Sequence, residues 1–390
     1  MYQRTMHHEL LSLSKQYPVI SLMGPRQSGK TTLVKSTFKD KPYVNLEIPD
    51  QRLAAQTDPR GFLSQFRQGA ILDEIQRVPE LLSYIQGMVD ENKKPGMFII
   101  TGSHQLELHE AMSQTLAGRV GLLNLYPLTQ NELRQAGFKL ELDDQIYHGF
   151  YPGIYSEKQN PTQAYRFYVQ TYLEKDIRQI AAIHNLMLFQ NCMKLCAGRI
   201  GQVMDYASLS NEVGVSANTI KNWISVLEAS YIIMRLKPYF ENFGKRIIKS
   251  PKLYFTDIGL AAYLLDIQNP SHVARDPLRG YLIENLSIME LFKHRQNRGL
   301  DPNIYYYRDS QKNEVDVIIK YGHQLTPIEI KSAQTFDKSF LRGIKYFQKL
   351  AEGRINRSYL VYSGDMKQSV SGIQILNYRN ISSIYEEIEN

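Results

Sequence analysis

Gly24-Pro25-Arg26-Gln27-Ser28-Gly29-Lys30-Thr31 decides the fold of the first part of the chain. It matches G-x-x-x-x-G-K-[ST], a loop in which glycines let backbone N–H groups approach phosphates closely. Its surroundings fit. Pro18 to Met23 is a short apolar run that reads as a buried parallel strand, and Thr31 to Phe38 has helical spacing. A helix starting there points its positive dipole end at the phosphates. Lys30 is expected to reach the β- and γ-phosphates and the Thr31 hydroxyl to ligate Mg²⁺, while Gly24, Pro25, Arg26, Gln27, Ser28, Gly29 and Thr32 complete the nucleotide contact. ATP and Mg²⁺ are the expected cofactors.

Outward from the loop, Tyr43 to Glu47, Gly69 to Asp73 and Met97 to Thr101 read as further strands, with a helix at Pro79 to Glu91. Short apolar strands alternating with helices predict an α/β fold with a parallel sheet covered on both faces. The strand Ala70-Ile71-Leu72 delivers Asp73 and Glu74 at its C-terminal edge, where open sheets bind ligands. Asp73 is expected to hold Mg²⁺ and Glu74 to orient or deprotonate the attacking water. Ser103, after the next strand, is a candidate contact to the γ-phosphate or that water. Arg119 is a candidate arginine finger acting across the interface of a homo-oligomer.

The chain has 390 residues, 43% hydrophobic and 22% charged, which predicts more than one globular domain and excludes a disordered chain. The formal net charge of +7 is compatible with a polyanionic partner without demanding one. Cys192 and Cys196, four apart in an expected helix, lack a nearby second Cys/His pair and read as reduced core thiols. No stretch approaches the roughly 18 apolar residues of a membrane span, so the expectation is a soluble, cytoplasmic protein without a membrane partner. The expected units are an ATPase core at 1–135, a helical lid and winged-helix segment at 136–270, and an α/β domain at 271–390.

Asp205 to Ser230 reads as a helix-turn-helix, with Ser208 and Ser216 as helix caps, a stop at Gly214, and Trp223 on the apolar face with Ile220, Val226 and Leu227. Ala217, Asn218, Lys221 and Asn222 are the residues free to enter a groove. Arg235, Lys237, Lys245, Arg246, Lys249 and Lys252 follow against one acid, Glu241, as two strands with a basic tip. That describes a wing suited to phosphates, with Asn218, Lys221, Lys245, Arg246 and Lys249 as DNA-binding candidates. Winged helices also serve as lids and protein-docking units.

The last unit reads as a helix from Tyr281 to Arg295, strands at Ile304–Arg308, Glu314–Ile319 and Leu325–Lys331, a helix from Lys338 to Leu350 and a strand at Ser358–Tyr362. Strand alternation puts Glu329 and Lys331 on one face, where Asp316 and Glu284 are expected to meet them. This Glu, Asp, Glu-x-Lys order is similar to the PD-(D/E)xK nuclease core. The similarity implies that Glu284, Asp316 and Glu329 hold Mg²⁺ and that Lys331 positions or deprotonates a water. Alternating charge is equally the mark of a half-exposed strand.

GPRQSGKTTL, AILDEIQRVPELL, FIITGSHQ, LAGRV and LYPLTQNEL resemble the bacterial AAA-superfamily ATPases whose C-terminal half is a domain of unknown function. Tyr172 to Ile177 and Tyr254 to Gly259 extend the resemblance over nearly the whole chain. It implies an ATPase core, a winged-helix segment and a nuclease-like C-terminal fold, and names no substrate. The expected activity is ATP hydrolysis that controls a DNA-binding winged helix and a nuclease-like module. The alternative is a nucleotide-dependent switch or scaffold whose nuclease-like domain is inactive and docks proteins. A protein remodeller fits less well, since no aromatic-hydrophobic pore loop is evident.

Overall fold

The structure is a computed structural model that describes residues 2–103, 112, 114–171, 185–240 and 248–389. Five parallel strands form the first sheet: β1 (Val19–Met23), β2 (Tyr43–Asn45), β3 (Ala70–Asp73), β4 (Phe98–Gly102) and β5 (Val120–Asn124). They lie in the order β2-β3-β4-β1-β5. Every residue of β1, β3 and β4 is buried, because helices cover both faces and leave no solvent side to mark with polar residues. β5, an edge strand whose exposure alternates and which carries Gly121, is a strand that the sequence reading did not include. All five strands end on the edge where the glycine-rich loop follows β1, and this edge positions the candidate site.

The middle segment is mostly helical. Helices Tyr206–Val213 and Ala217–Ala229 are joined at Gly214, whose φ of 79° is the left-handed value that ends the first one. Ser216 caps the second helix as expected, but the first is capped by Asp205, whose carboxylate accepts from the backbone N–H groups of Ala207 and Ser208 at 3.0 Å. Ser208 instead lies inside that helix and donates to Glu212. Trp223 is buried, edge-on to Phe189 at 5.4 Å, and Cys192 and Cys196 are buried free thiols. Strands β6 (Ile233–Leu236) and β7 (Lys252–Phe255) follow as an antiparallel pair.

The last segment opens with the helix Arg279–Gln296, buried on nearly every side. It packs against a six-stranded mixed sheet of β8 (Ile304–Arg308), β9 (Glu314–Tyr321), β10 (Gln324–Lys331), β11 (Tyr359–Tyr362), β12 (Gln368–Val370) and β13 (Ile373–Asn377), ordered β12-β13-β11-β10-β9-β8. β10 lies antiparallel to β9 and parallel to β11, so the centre of the sheet changes pairing mode at β10. The helix also reaches the first unit. Its Lys293 donates to the Leu128 carbonyl at 2.7 Å, and its Glu290 accepts from the Gln130 N–H at 3.0 Å. Phe292 meets Tyr126 edge-on at 5.0 Å.

Candidate functional site

The loop after β1 takes its shape from its glycines. Gly24 has φ 145°, and a Cβ there would lie 2.2 Å from the Leu125 carbonyl oxygen on the chain leaving β5. Gly29, at φ 94°, is the N-cap of the helix Lys30–Thr37. Lys30 is buried and its Nζ donates to the carbonyls of Gly24 at 2.9 Å and Pro25 at 2.8 Å. Burial lowers its pKa to about 8; Glu74 and Asp73 oppose the shift and Arg26 adds to it. The Ser28 hydroxyl is buried with no hydrogen-bond partner. The loop thus encloses a cation that only its own carbonyls satisfy, beside an unused hydroxyl, and that donor set fits an anion. Arg26 lies 3.6 Å from Glu47, which also pairs with Arg77 at 3.2 Å, and Thr32 is exposed on the first helical turn.

Asp73 and Glu74 arrive together at the edge of β3. Asp73 is 3% exposed and accepts from three hydroxyls: Thr31 at 2.9 Å, Tyr43 at 2.6 Å, and Thr101. Burial, and then the bond to Asp73, holds the Tyr43 phenol protonated well above its ordinary range. The Asp73 carboxylate together with the Thr31 hydroxyl is a hard oxygen pair suited to Mg²⁺. Glu74 sits at φ 58°, an unusual conformation for a residue with a side chain, and turns its carboxylate toward β4. There it accepts from the Ser103 hydroxyl at 3.1 Å and from Gln76, whose amide also reaches the Ser103 oxygen at 3.2 Å. The structure therefore brings Lys30, Thr31, Asp73, Glu74 and Ser103 to one edge, and adds Tyr43, Gln76 and Thr101.

Arg4 is a further residue that the sequence reading missed. Its guanidinium is buried and donates to the Ser28 carbonyl at 2.7 Å, the Tyr126 carbonyl at 2.6 Å and Glu132 at 3.2 Å. Glu132 is held by the N–H groups of Thr5 at 2.7 Å and Thr129 at 2.9 Å. The one local signal was the capping box Thr129-x-x-Glu132, which the structure forms.

Arg119 is not brought to this edge. It precedes β5, and its carbonyl accepts from Val19 N–H, so it stands at the start of β1 while the loop follows the end. That strand separates the two by about 13 Å. Its guanidinium pairs with Asp90 at 2.6 Å and 3.0 Å. Within one chain Arg119 is an ion-paired residue on the far side of the sheet.

In the middle segment, Asn218, Lys221 and Asn222 are exposed on the helix Ala217–Ala229, Ala217 is half-buried, and Lys249 is exposed with its ammonium 5.6 Å from the Phe240 ring. Lys245 and Arg246 lie outside the described residues. Two of the expected wing cations are committed elsewhere: Arg235 pairs with Glu228, and Lys252 is buried.

In the last segment Glu284, Asp316 and Glu329 do come together, all buried, beside Lys331. Lys331 lies 2.6 Å from Glu329 and 3.7 Å from Asp316, and Asp316 accepts from the Ile330 N–H at 2.8 Å. Burial, then the charge of Asp316, pushes Glu329 up to about 8. Burial also raises Glu284, to about 7. The expected Mg²⁺ set is not free, however. The Lys252 ammonium lies 3.0 Å from Glu284 and 2.6 Å from Glu314, and Tyr254 donates to the same Glu284 oxygen. Among the described residues no three acidic, His or Cys side chains are arranged to hold a metal ion. Of the three expected metal ligands, Glu284 is thus already paired with a lysine.

Comparison with known proteins follows this division. Residues 16–134 match a family model described as an AAA domain. The first unit is thus similar to AAA-type P-loop domains. Residues 139–271 and 279–381 match two domains of unknown function, DUF8612 and DUF4143. The chain is similar to the uncharacterized protein Rv2008c of Mycobacterium tuberculosis, 29% identical over 362 residues, covering 91% of this chain and 78% of that one. It is also similar to the uncharacterized protein MJ1637 of Methanocaldococcus jannaschii, 23% identical over 338 residues, covering 72% and 69%. Among solved structures, the Walker-type ATPase PABY2304 of Pyrococcus abyssi superposes with a TM-score of 0.47 at 14% identity, covering 68% of this chain and 96% of that one. No described helix is long and apolar enough to cross a membrane.

Proposed function

We propose that the AAA-type domain binds ATP with Mg²⁺ and hydrolyses it, and that its nucleotide state is passed to the C-terminal module. The observation that carries this reading is the convergence of Lys30, Thr31, Asp73, Glu74 and Ser103 on one sheet edge. Lys30 leaves the loop carbonyls for the β- and γ-phosphates, Thr31 and Asp73 hold Mg²⁺, and Glu74 orients the attacking water. The metal supplies charge neutralisation on the phosphates. Ser103 and Gln76 hold Glu74, and Ser103 contacts the γ-phosphate.

Onward transmission is supported by contacts on either side of Glu132. Arg4 joins it to the loop carbonyl of Ser28, and the neighbouring Leu128 and Gln130 backbone is gripped by Lys293 and Glu290. Two helices around Gly214 with a strand pair behind them support a winged-helix reading of the middle segment, with Asn218, Lys221 and Lys249 facing nucleic acid. For the nuclease-like module the pairing of Glu284 with Lys252 favours the docking reading over cleavage.

Glu74→Gln tests the central claim. The variant is expected to bind ATP within about threefold of the parent, since it loses only the base, while turnover falls about 10²-fold or more. Undiminished hydrolysis would remove Glu74 from the reaction.

A further inference from the structure

Four acids crowd one end of the C-terminal sheet. Glu284 comes from the helix Arg279–Gln296, Glu314 and Asp316 from β9, and Glu329 from β10. Lys331 serves Asp316 and Glu329. The other amine comes from outside the sheet: Lys252 opens β7, whose partner strand β6 belongs to the middle segment. Its side chain is 2% exposed, and its ammonium bridges Glu284 and Glu314 while lying 5.5 Å from the centre of the Tyr306 ring. Arg308 closes the far side of Glu314 at 3.3 Å.

We infer that Lys252 is the resident cation of this carboxylate cluster, closing it against divalent metal and fastening the middle segment to the C-terminal sheet. A divalent ion needs several oxygens at about 2.0–2.6 Å with open lone pairs directed at one point. Here one Glu284 oxygen already accepts from both Lys252 and Tyr254. A metal that took Glu284 as a ligand would have to displace a buried ammonium, leaving a lysine without its counter-charges, and that exchange is strongly unfavourable. The lysine and the metal are alternatives for one negatively charged hole.

This deepens the docking reading of the C-terminal module and does not depend on ATP turnover, so a failed Glu74→Gln prediction leaves it standing. The test is a Mn²⁺ titration of the nucleotide-free full-length protein, read by electron paramagnetic resonance, on the parent, Asp316→Asn, Lys252→Met and Lys252→Met/Asp316→Asn. The parent is expected to take up no Mn²⁺ that Asp316→Asn removes. Lys252→Met is expected to gain one ion with at least tenfold tighter uptake, and the added Asp316→Asn to abolish it. Asp316-dependent uptake by the parent overturns the inference, as does a folded Lys252→Met that gains none. If circular dichroism shows that Lys252→Met does not fold, the parent and Asp316→Asn arms decide: Asp316-dependent uptake refutes the closed site and its absence supports it.

Discussion

Arg4→Met keeps an unbranched apolar stem and deletes only the guanidinium. That group serves the Ser28 carbonyl at 2.7 Å, the Tyr126 carbonyl at 2.6 Å and the Glu132 carboxylate at 3.2 Å. The pair is almost wholly withdrawn from water, at 6% and 1% side-chain exposure, so screening by solvent does not discount it. Losing one member of such a pair costs about 3–5 kcal/mol, because the survivor stays charged and buried. Glu132 keeps the N–H groups of Thr5 and Thr129, which places the expected cost at the lower end, about 3 kcal/mol. The opening free energy of amides in β1 and in the helix Gln130–Gln135, followed by hydrogen exchange, measures that cost locally. Neutralising the acid as well should recover part of it, so Arg4→Met/Glu132→Gln is expected to be less destabilised than the sum of its single changes by about 1–3 kcal/mol. The loop also loses a support, and ATP affinity should weaken by about tenfold, equivalent to about 1.4 kcal/mol. Strictly additive single changes, or a cost under about 1 kcal/mol, would refute the claim that Arg4 braces the loop against Glu132.

Acid stability offers a second check. His294 is stacked on Tyr385 at 5.0 Å, its Nε2 has no partner, and burial, then Arg298 and Arg295, lowers its pKa to about 4. Between pH 6.5 and 4 the unfolded chain binds a proton that the folded chain refuses, so stability falls as pH falls through that window, by about 3 kcal/mol at most. His294→Phe should flatten that part of the stability curve; an unaltered curve would show that the acid sensitivity lies elsewhere. For nucleic acid, Lys221→Glu with Lys249→Glu should weaken binding of duplex DNA and lower the salt slope by about one per lost phosphate contact. Fluorescence anisotropy at several salt concentrations measures it, and an unchanged slope would count against this face.

The phosphate loop was legible because its chemistry is local: glycines, lysine and threonine act through their own backbone and neighbours. Asp73 and Glu74 were legible because a buried strand announces where it ends. Tyr43 and Thr101 were not, since an aromatic or a threonine in a strand reads as packing until the register of β2, β3 and β4 sets it beside Asp73. The place of Arg119 within the chain was illegible for a related reason. Sequence order placed it after Ser103, but not at which end of the next strand it would stand. β5 escaped because Gly121 and an alternating edge weaken its apolar signal. Lys252 is the most instructive residue. In sequence it is one cation in a basic run, and only the fold reveals acids waiting for it from Glu284 and Glu314.

The helix Arg279–Gln296 has a consequence for inheritance. Its Glu284 is tied to β7 and its Glu290 and Lys293 grip the chain just past β5, about 9–14 Å apart along the same rod. Such a wall is shared property. A gene fusion that exchanged the first or last module for a stranger would leave charged groups facing nothing, so recombination among these chains should respect all the segments together.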